Sequence, residues 1–500
     1  MTPAQINVAS YNIGLATPEI VLLGLVCVIM VAHLFWHPAK QEGRLLFSSL
    51  VTLAITALLV VVNASPAASG SVIAAATAAP VQYGFSNMFV VDGMATLLKV
   101  AILIAVAVTI VYSRGYLAAR NLFSGEYICL ILFATLGMMV MVSANNFVTL
   151  YLGLELLALP SYALVALNRD SARSTEAAMK YFILGALASG LLLYGMSMVY
   201  GATGSLDVST IAAIVSGSRA NDPLLTFGLV FIVAGLAFKL GAVPFHMWVP
   251  DVYDGAPTAI TLFLASAPEI AAFGFIIRIL ADALAGATAD WQGMLVILSV
   301  LSLTIGNVVA IAQTSLKRML AYSTISHMGF LLLGILAGTK NGYASGMFYI
   351  VVYAFTTLGA FGIMLLLSRA GFEAENIEDF KGLNQRSPLY AVLMLFIMFS
   401  MAGIPIFAGF WAKLAVFEAV LNAGYTWLVV YAVLMSVIGA FYYLRVVKLM
   451  YFDAPTDTAP LVASADMRAL LVANGFAVLV LGFVPGGLLT ACVNAIQNSF

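Results

Sequence analysis

The chain has 500 residues, 63% hydrophobic and 9% charged, with a mean hydropathy of +1.06. Soluble domains carry about 25% charged residues, so the composition specifies an all-α polytopic membrane protein. The 21 basic and 22 acidic residues leave a net charge of −1, which offers nucleic acid no basic footprint. Cys27, Cys129 and Cys492 stand apart in apolar sequence. With no CxxC spacing they argue against iron–sulfur, zinc and disulfide frameworks and read as small buried hydrophobes. No Walker motif or GxGxxG follows a strand, so no nucleotide site is expected. The first sixteen residues lack lysine and arginine, which predicts an uncleaved N-terminus whose first apolar stretch stays in the membrane.

A crossing needs about 20 apolar residues. In chain order that length predicts fourteen spans, near 18–36, 45–63, 91–112, 127–143, 146–166, 178–200, 224–247, 258–280, 291–312, 319–338, 345–368, 388–421, 426–449 and 467–489. With the N-terminus outside, fifteen of the 21 basic residues fall in inward connections. Only Arg219 and Lys340 fall outside, while Lys99, Lys239, Arg278 and Lys413 lie within spans. Such an excess of inward charge predicts both termini on the outer side.

The seventh and twelfth spans are interrupted by proline. In TFGLVFIVAGLAFKLGAVPFHMWVPDVYDGAP, Lys239 precedes Pro244; in LMLFIMFSMAGIPIFAGFWAKLAVFEAVL, Pro405 precedes Lys413. Proline removes a backbone hydrogen bond and leaves polar groups that need protein or water to satisfy them. The mirrored order of lysine and proline is what an inverted repeat would produce.

Ionisable residues at membrane depth are functional candidates by default. Glu155 lies about ten residues into the fifth span and is the expected partner of Lys239; a static ion pair that fixes helix packing is the competing reading. Lys413 has no acid near it in its own span, which points to a hydrated pocket over a snorkelling lysine. His327 in YSTISHMGF and His246 in VPFHMWVPD suit a proton relay, or are core histidines bonded to a neighbour. Glu269 in LASAPEIAAFGF is a further mid-membrane acid, placed to link two half-units. Asp92 and Lys99 share a helix face, Arg278 and Asp282 read as a solvated i,i+4 pair, and Asp251 and Asp254 read as loop-ordering. The resulting series, Glu155, Lys239, Glu269, His327 and Lys413, lies along the membrane and suits protons better than a bulky solute.

The segments LGLELLALPSYALVAL, EAAMKYFILGA, FKLGAVPFHMWVPDVYDGAPT, LKRMLAYSTISHMGF and AGIPIFAGFWAKL resemble signatures of the antiporter-like membrane subunits of complex I, the proton-pumping NADH:quinone oxidoreductase. The resemblance covers nearly the whole chain. It implies about fourteen transmembrane helices with two inverted five-helix repeats, broken at helices 7 and 12. The organisation it implies is an N-terminal segment 1–126, repeats 127–283 and 284–450, and a C-terminal helix within 451–500. It implies that Glu155 and Lys239 form a coupled pair, His327 relays, and Lys413 leads toward the exit. It also implies a bacterial inner-membrane location, partner subunits along a membrane arm, and no cofactor in this chain. NADH, FMN, iron–sulfur clusters and quinone belong to other subunits of such a complex. One departure is Glu269, where the family commonly has lysine. A subunit of a multisubunit cation/proton antiporter or of a membrane-bound hydrogenase is the alternative within the same fold, and a purely structural membrane scaffold is the alternative outside it.

Overall fold

The structure is a computed structural model that describes residues 11–64, 80–217, 222–457 and 459–500. Arg219, counted above among the outward charges, lies outside them. The chain is a bundle of long apolar helices. In order these are α1 (Thr17–Ala32), α2 (Pro38–Ala64), α3 (Gly93–Ala118), α4 (Gly125–Ser143), α5 (Phe147–Val165), α6 (Ala172–Thr203), the short α7 (Val208–Val215), α8 (Pro223–Lys239) and α9 (Trp248–Gly255). Then follow α10 (Thr258–Ala283), α11 (Thr288–Ile311), α12 (Leu316–Leu336), α13 (Lys340–Leu367), α14 (Pro388–Ala402), α15 (Ala408–Asn422), α16 (Thr426–Phe452), α17 (Ala465–Phe483) and α18 (Gly486–Gln497).

Twelve helices among the described residues are long and apolar enough to cross a membrane. The other two expected spans are the interrupted ones. α8 and α14 are apolar but only 17 and 15 residues long, and each is continued by a second piece, α9 and α15. The ends are set by side chains that accept from orphan amides. Asp92, Ser124, Asn146, Ser171, Ser315 and Thr339 each accept a backbone N–H of the first turn that follows.

Three helices form the interior. The most apolar window of α10 is wholly buried, and those of α12 and α13 are 94% buried. α1, α2, α6, α16 and α17 bury about a third or less, and their outer faces are apolar as a lipid-facing surface requires. Glu269 and His327 therefore sit on the best-shielded helices, and the broken helices pack beside them. α15 contacts α12 and α13, while α9 contacts α12 and α6.

Several expectations change. The last span does not run on to 489: α17 ends at Phe483, and after Pro485 the chain starts the separate α18. A two-stranded antiparallel hairpin, β1 (Gln82–Gly84) and β2 (Phe89–Val91), precedes α3 inside a stretch read as loop. Asp92 and Lys99 do not pair with each other. Asp92 caps α3 and bonds Arg278 at 2.6 Å, whereas Lys99 bonds Glu19 of α1 at 2.6 Å, all four side chains being buried. Arg278 and Asp282 do meet, at 3.1 Å, but Arg278 is 2% exposed. The pair lies where α10 widens into a π-helix over Ile277–Ala283, locked inside the bundle and not solvated. Asp251 and Asp254, expected in a loop, lie instead in helix α9 and bond Lys180 and Arg173 of α6 at 2.8 Å each.

Candidate functional site: buried titratable groups between two broken helices

The break after Lys239 begins where α8 ends, and Lys239 occupies its last turn. The break before Lys413 is made by Gly403, at φ +83°, and Ile406, at φ +85°. Ser400 spans it, its hydroxyl accepting from the Gly409 amide at 3.0 Å. Lys413 is 6% exposed and reaches back across the gap, donating to the carbonyls of Met401 (3.2 Å) and Ala402 (3.0 Å) and to Ser436 Oγ (2.8 Å). These are the last carbonyls of α14. Each lysine is thus tied to the C-terminal end of the helix that precedes its break, where the peptide dipole favours a cation. The sequence orders differ, but the polarity is shared.

Lys413 also lies over the Phe330 ring at 4.8 Å. A cavity of about 10 Å³ joins it to His327, Tyr349, Tyr353, Thr356 and Ser400, at the lower limit for one water. His327 is held on both ring nitrogens: Nδ1 meets the Tyr349 hydroxyl at 2.6 Å and Nε2 the Tyr443 hydroxyl at 3.0 Å. Tyr443 in turn meets Ser323. Tyr353, whose ring lies 5.0 Å from that of His327, donates to Thr324 Oγ1 at 2.8 Å.

Lys239 lines a second cavity of about 20 Å³ with Tyr162, Tyr181, Gly185 and Trp248, roomy enough for a water. Tyr181 stacks on Trp248 at 4.7 Å and meets Tyr162 edge-on. Neither Glu269 nor Glu155 forms an ion pair with Lys239 among the described residues. Glu269 is 4% exposed. One oxygen each of Glu155 and Glu269 is buried without a hydrogen-bond partner among the described residues.

The structure places His327 and Lys413 on one small cavity lined by Tyr349 and Tyr353, and Lys239 on a second. His246 sits in the first break, with a buried Nδ1 that has no partner among the described residues. Sequence reasoning missed Tyr349, Tyr353, Tyr443 and Ser436. Only Tyr349 and Tyr353 carried a signal, a four-residue spacing that turns both toward His327. No group of three His, Cys, Asp or Glu able to hold a metal occurs among the described residues.

The geometry also makes Gly403 sensitive. A Cβ there would lie 2.9 Å from Lys413 Cδ, in a left-handed backbone that costs a non-glycine residue about 1–2 kcal/mol. Gly403→Ala is expected to lower the midpoint of thermal inactivation and to disturb Lys413 directly.

A family model described as "NADH:quinone oxidoreductase/Mrp antiporter, TM" matches residues 144–439. The chain is 56% identical over 486 residues to the NADH-quinone oxidoreductase subunit N of Nitrosomonas europaea, covering 97% of this chain and 98% of that one. It is 58% identical over 489 residues to the subunit of the same name from Thiobacillus denitrificans, with the same coverage of each. The chain belongs to the subunit N family of NADH-quinone oxidoreductases. Among solved structures, a chain of respiratory complex I from Thermus thermophilus with bound aureothin is 30% identical with a TM-score of 0.80, covering 96% of this chain and 100% of that one. A chain of the Mrp complex from Dietzia sp. DQ12-45-1b superposes with a TM-score of 0.81 at 21% identity, covering 96% and 97%, and shares the fold. Membership of the subunit N family accords with the motifs resembled above and with the many apolar helices of a multi-pass membrane protein.

Proposed function

We propose that this subunit N family member is a proton-translocating membrane-arm subunit of a bacterial respiratory complex I. The observation that supports the reading is a lysine beside each of two helix breaks, Lys413 sharing a cavity with His327 and Lys239 lining a second, with Glu155 and Glu269 as further acids at membrane depth. Glu155 and Lys239 act as the coupled pair on the first half. Glu269 accepts from Lys239 and passes the proton toward His327, whose ring is held by Tyr349 and Tyr443 and which relays it to Lys413. His246 has no link into this series and is left outside it. An acid at 269 facing a lysine attracts the proton that a second lysine would repel, so this chain runs the central transfer with opposite charges.

The five-helix halves 127–283 and 284–450 are related by inversion, supported by the mirrored lysines and breaks and flanked by 1–126 and 451–500. Both termini lie on the periplasmic side of the inner membrane, supported by the inward excess of basic residues. NADH, FMN, the iron–sulfur clusters and quinone are bound by other subunits. Moving one charge against 100 mV costs about 2.3 kcal/mol, so transfer along this series depends on the redox energy released there.

The test is a paired measurement on membranes carrying Lys239→Ala. NADH-driven quinone reduction and outward acidification are both expected to fall while the complex stays assembled. Both unchanged would make Lys239 a packing residue and end this reading.

A further inference from the structure

α9 is only eight residues long, and irregular backbone precedes it and follows it. Six of its eight residues are buried against its neighbours, α6 and α12 among them, and it opens on Trp248, which lines the Lys239 cavity. What holds its other end is a ring of charges. Lys317, whose side chain is 1% exposed, donates from Nζ to the Ala256 carbonyl at 2.8 Å, just past the end of α9. The same ammonium meets Glu375 Oε1 at 2.9 Å. Glu375 Oε2 accepts from Arg173 Nη1 at 2.8 Å, and Arg173 Nη2 returns to Asp254 of α9 at 2.8 Å. Ser315 donates to the other Asp254 oxygen at 3.0 Å, and Arg318 lies 3.8 Å from Asp254. The loop that carries Glu375 is stitched to the start of α12 by the Leu316 amide on the Glu375 carbonyl (2.6 Å) and the Ile377 amide on the Thr314 carbonyl (3.0 Å).

A lysine ammonium on the last carbonyls of a helix satisfies acceptors that the helix cannot fill itself. Here that lysine belongs to another helix, α12, which carries His327 ten residues farther on, about 15 Å along its axis. The ring therefore ties the short helix that lines the Lys239 cavity to the long helix that carries His327. It draws on four segments: the start of α6, the end of α9, the start of α12 and the connection between α13 and α14. Glu375 lies in that connection, outside the spans. Burial pushes its carboxyl up, but the Lys317 ammonium and the Arg173 guanidinium outweigh burial and hold it below the usual carboxylate range. Glu375 thus stays ionised through neutral pH.

We infer that Lys317 and Glu375 are positioning residues that clamp α9 to α12 and so set the spacing between the Lys239 and His327 halves of the proton path. The inference rests on the proposed path, and its test separates the two. In the intact complex reconstituted in vesicles, Glu375→Gln, Lys317→Met and the double variant are compared with Lys317→Arg. Hydrogen–deuterium exchange is read over residues 245–257 together with quinone reduction and protons moved per quinone.

The clamp predicts faster exchange in 245–257 for Glu375→Gln and Lys317→Met, with unchanged assembly and a several-fold loss of proton-coupled quinone reduction. The double variant should lose no more than Lys317→Met alone, because one link is being cut twice, and Lys317→Arg should recover most of the rate. Unchanged exchange in the single variants overturns the clamp, as do losses that add. If Lys317→Met fails to assemble, Glu375→Gln decides alone, because it keeps the shape and removes only the charge. A failure of the path itself would show as unaltered pumping in Lys239→Ala, whatever the exchange rates do.

Discussion

Replacing Lys413 by methionine is expected to leave the complex assembled and to stop proton translocation through this subunit. The two halves of that statement have separate causes. Assembly survives because Lys413 has no carboxylate partner: its ammonium is held by two carbonyls and the Ser436 hydroxyl, so removing it strands no opposite charge. Methionine fills a similar apolar volume and avoids the cost of a buried cation. Translocation stops because a positioned proton-transfer side chain contributes on the order of 10²–10⁴-fold, and no other ionisable side chain shares the cavity except His327 and its tyrosines. Lys413→Arg is the discriminating variant. It keeps the charge, as a structural cation would require, but a guanidinium does not give up its proton and its planar fork does not match the three acceptors. Pumping by reconstituted complex should be lost in both variants. Retention in the arginine variant would assign Lys413 a purely electrostatic role.

Arg278→Met has the opposite profile. Arg278 is enclosed by Asp92 at 2.6 Å and Asp282 at 3.1 Å, and its Nε donates to the Val142 carbonyl at 3.3 Å. Removing the cation leaves two buried carboxylates facing each other. Losing one partner of a buried ion pair costs about 3–5 kcal/mol, a large fraction of the about 5–15 kcal/mol that stabilises a domain. Little assembled complex should then appear on a native gel, with residual activity in proportion to the amount assembled. Asp282→Asn should be milder, since Asp92 still pairs with the arginine. Normal assembly of Arg278→Met would mean that the cluster is hydrated enough to do without its cation.

The contrast between these residues marks what the sequence could convey. Depth in the membrane is written in hydropathy, so the long apolar helices, the two interrupted ones and the burial of Lys413 were legible. Direction around a helix is hardly written at all when every face is apolar. That is why Arg278 and Asp282 read as a solvated pair at a helix end, and why Lys99 was matched with Asp92 on its own helix when its partner is Glu19 on another. The tyrosines around His327 escaped for a related reason. Tyrosine is common in membrane helices near the interfaces, so nothing in its local pattern separates a belt residue from a buried donor. The C-terminal break at Pro485 was hidden because apolar sequence continues on both sides of it.

The setting of His327 between two hydroxyls has a consequence for tempo. A neutral imidazole carries one N–H and one bare nitrogen, so one tyrosine must act as acceptor and the other as donor. When a proton enters on one side and leaves on the other, every bond in that string reverses its sense. The string then cannot pass a second proton in the same direction until the imidazole and the hydroxyls have turned over. On the proposed path such a string acts as a turnstile that locks after each passage, its tempo set by the resetting of three side chains packed inside the bundle.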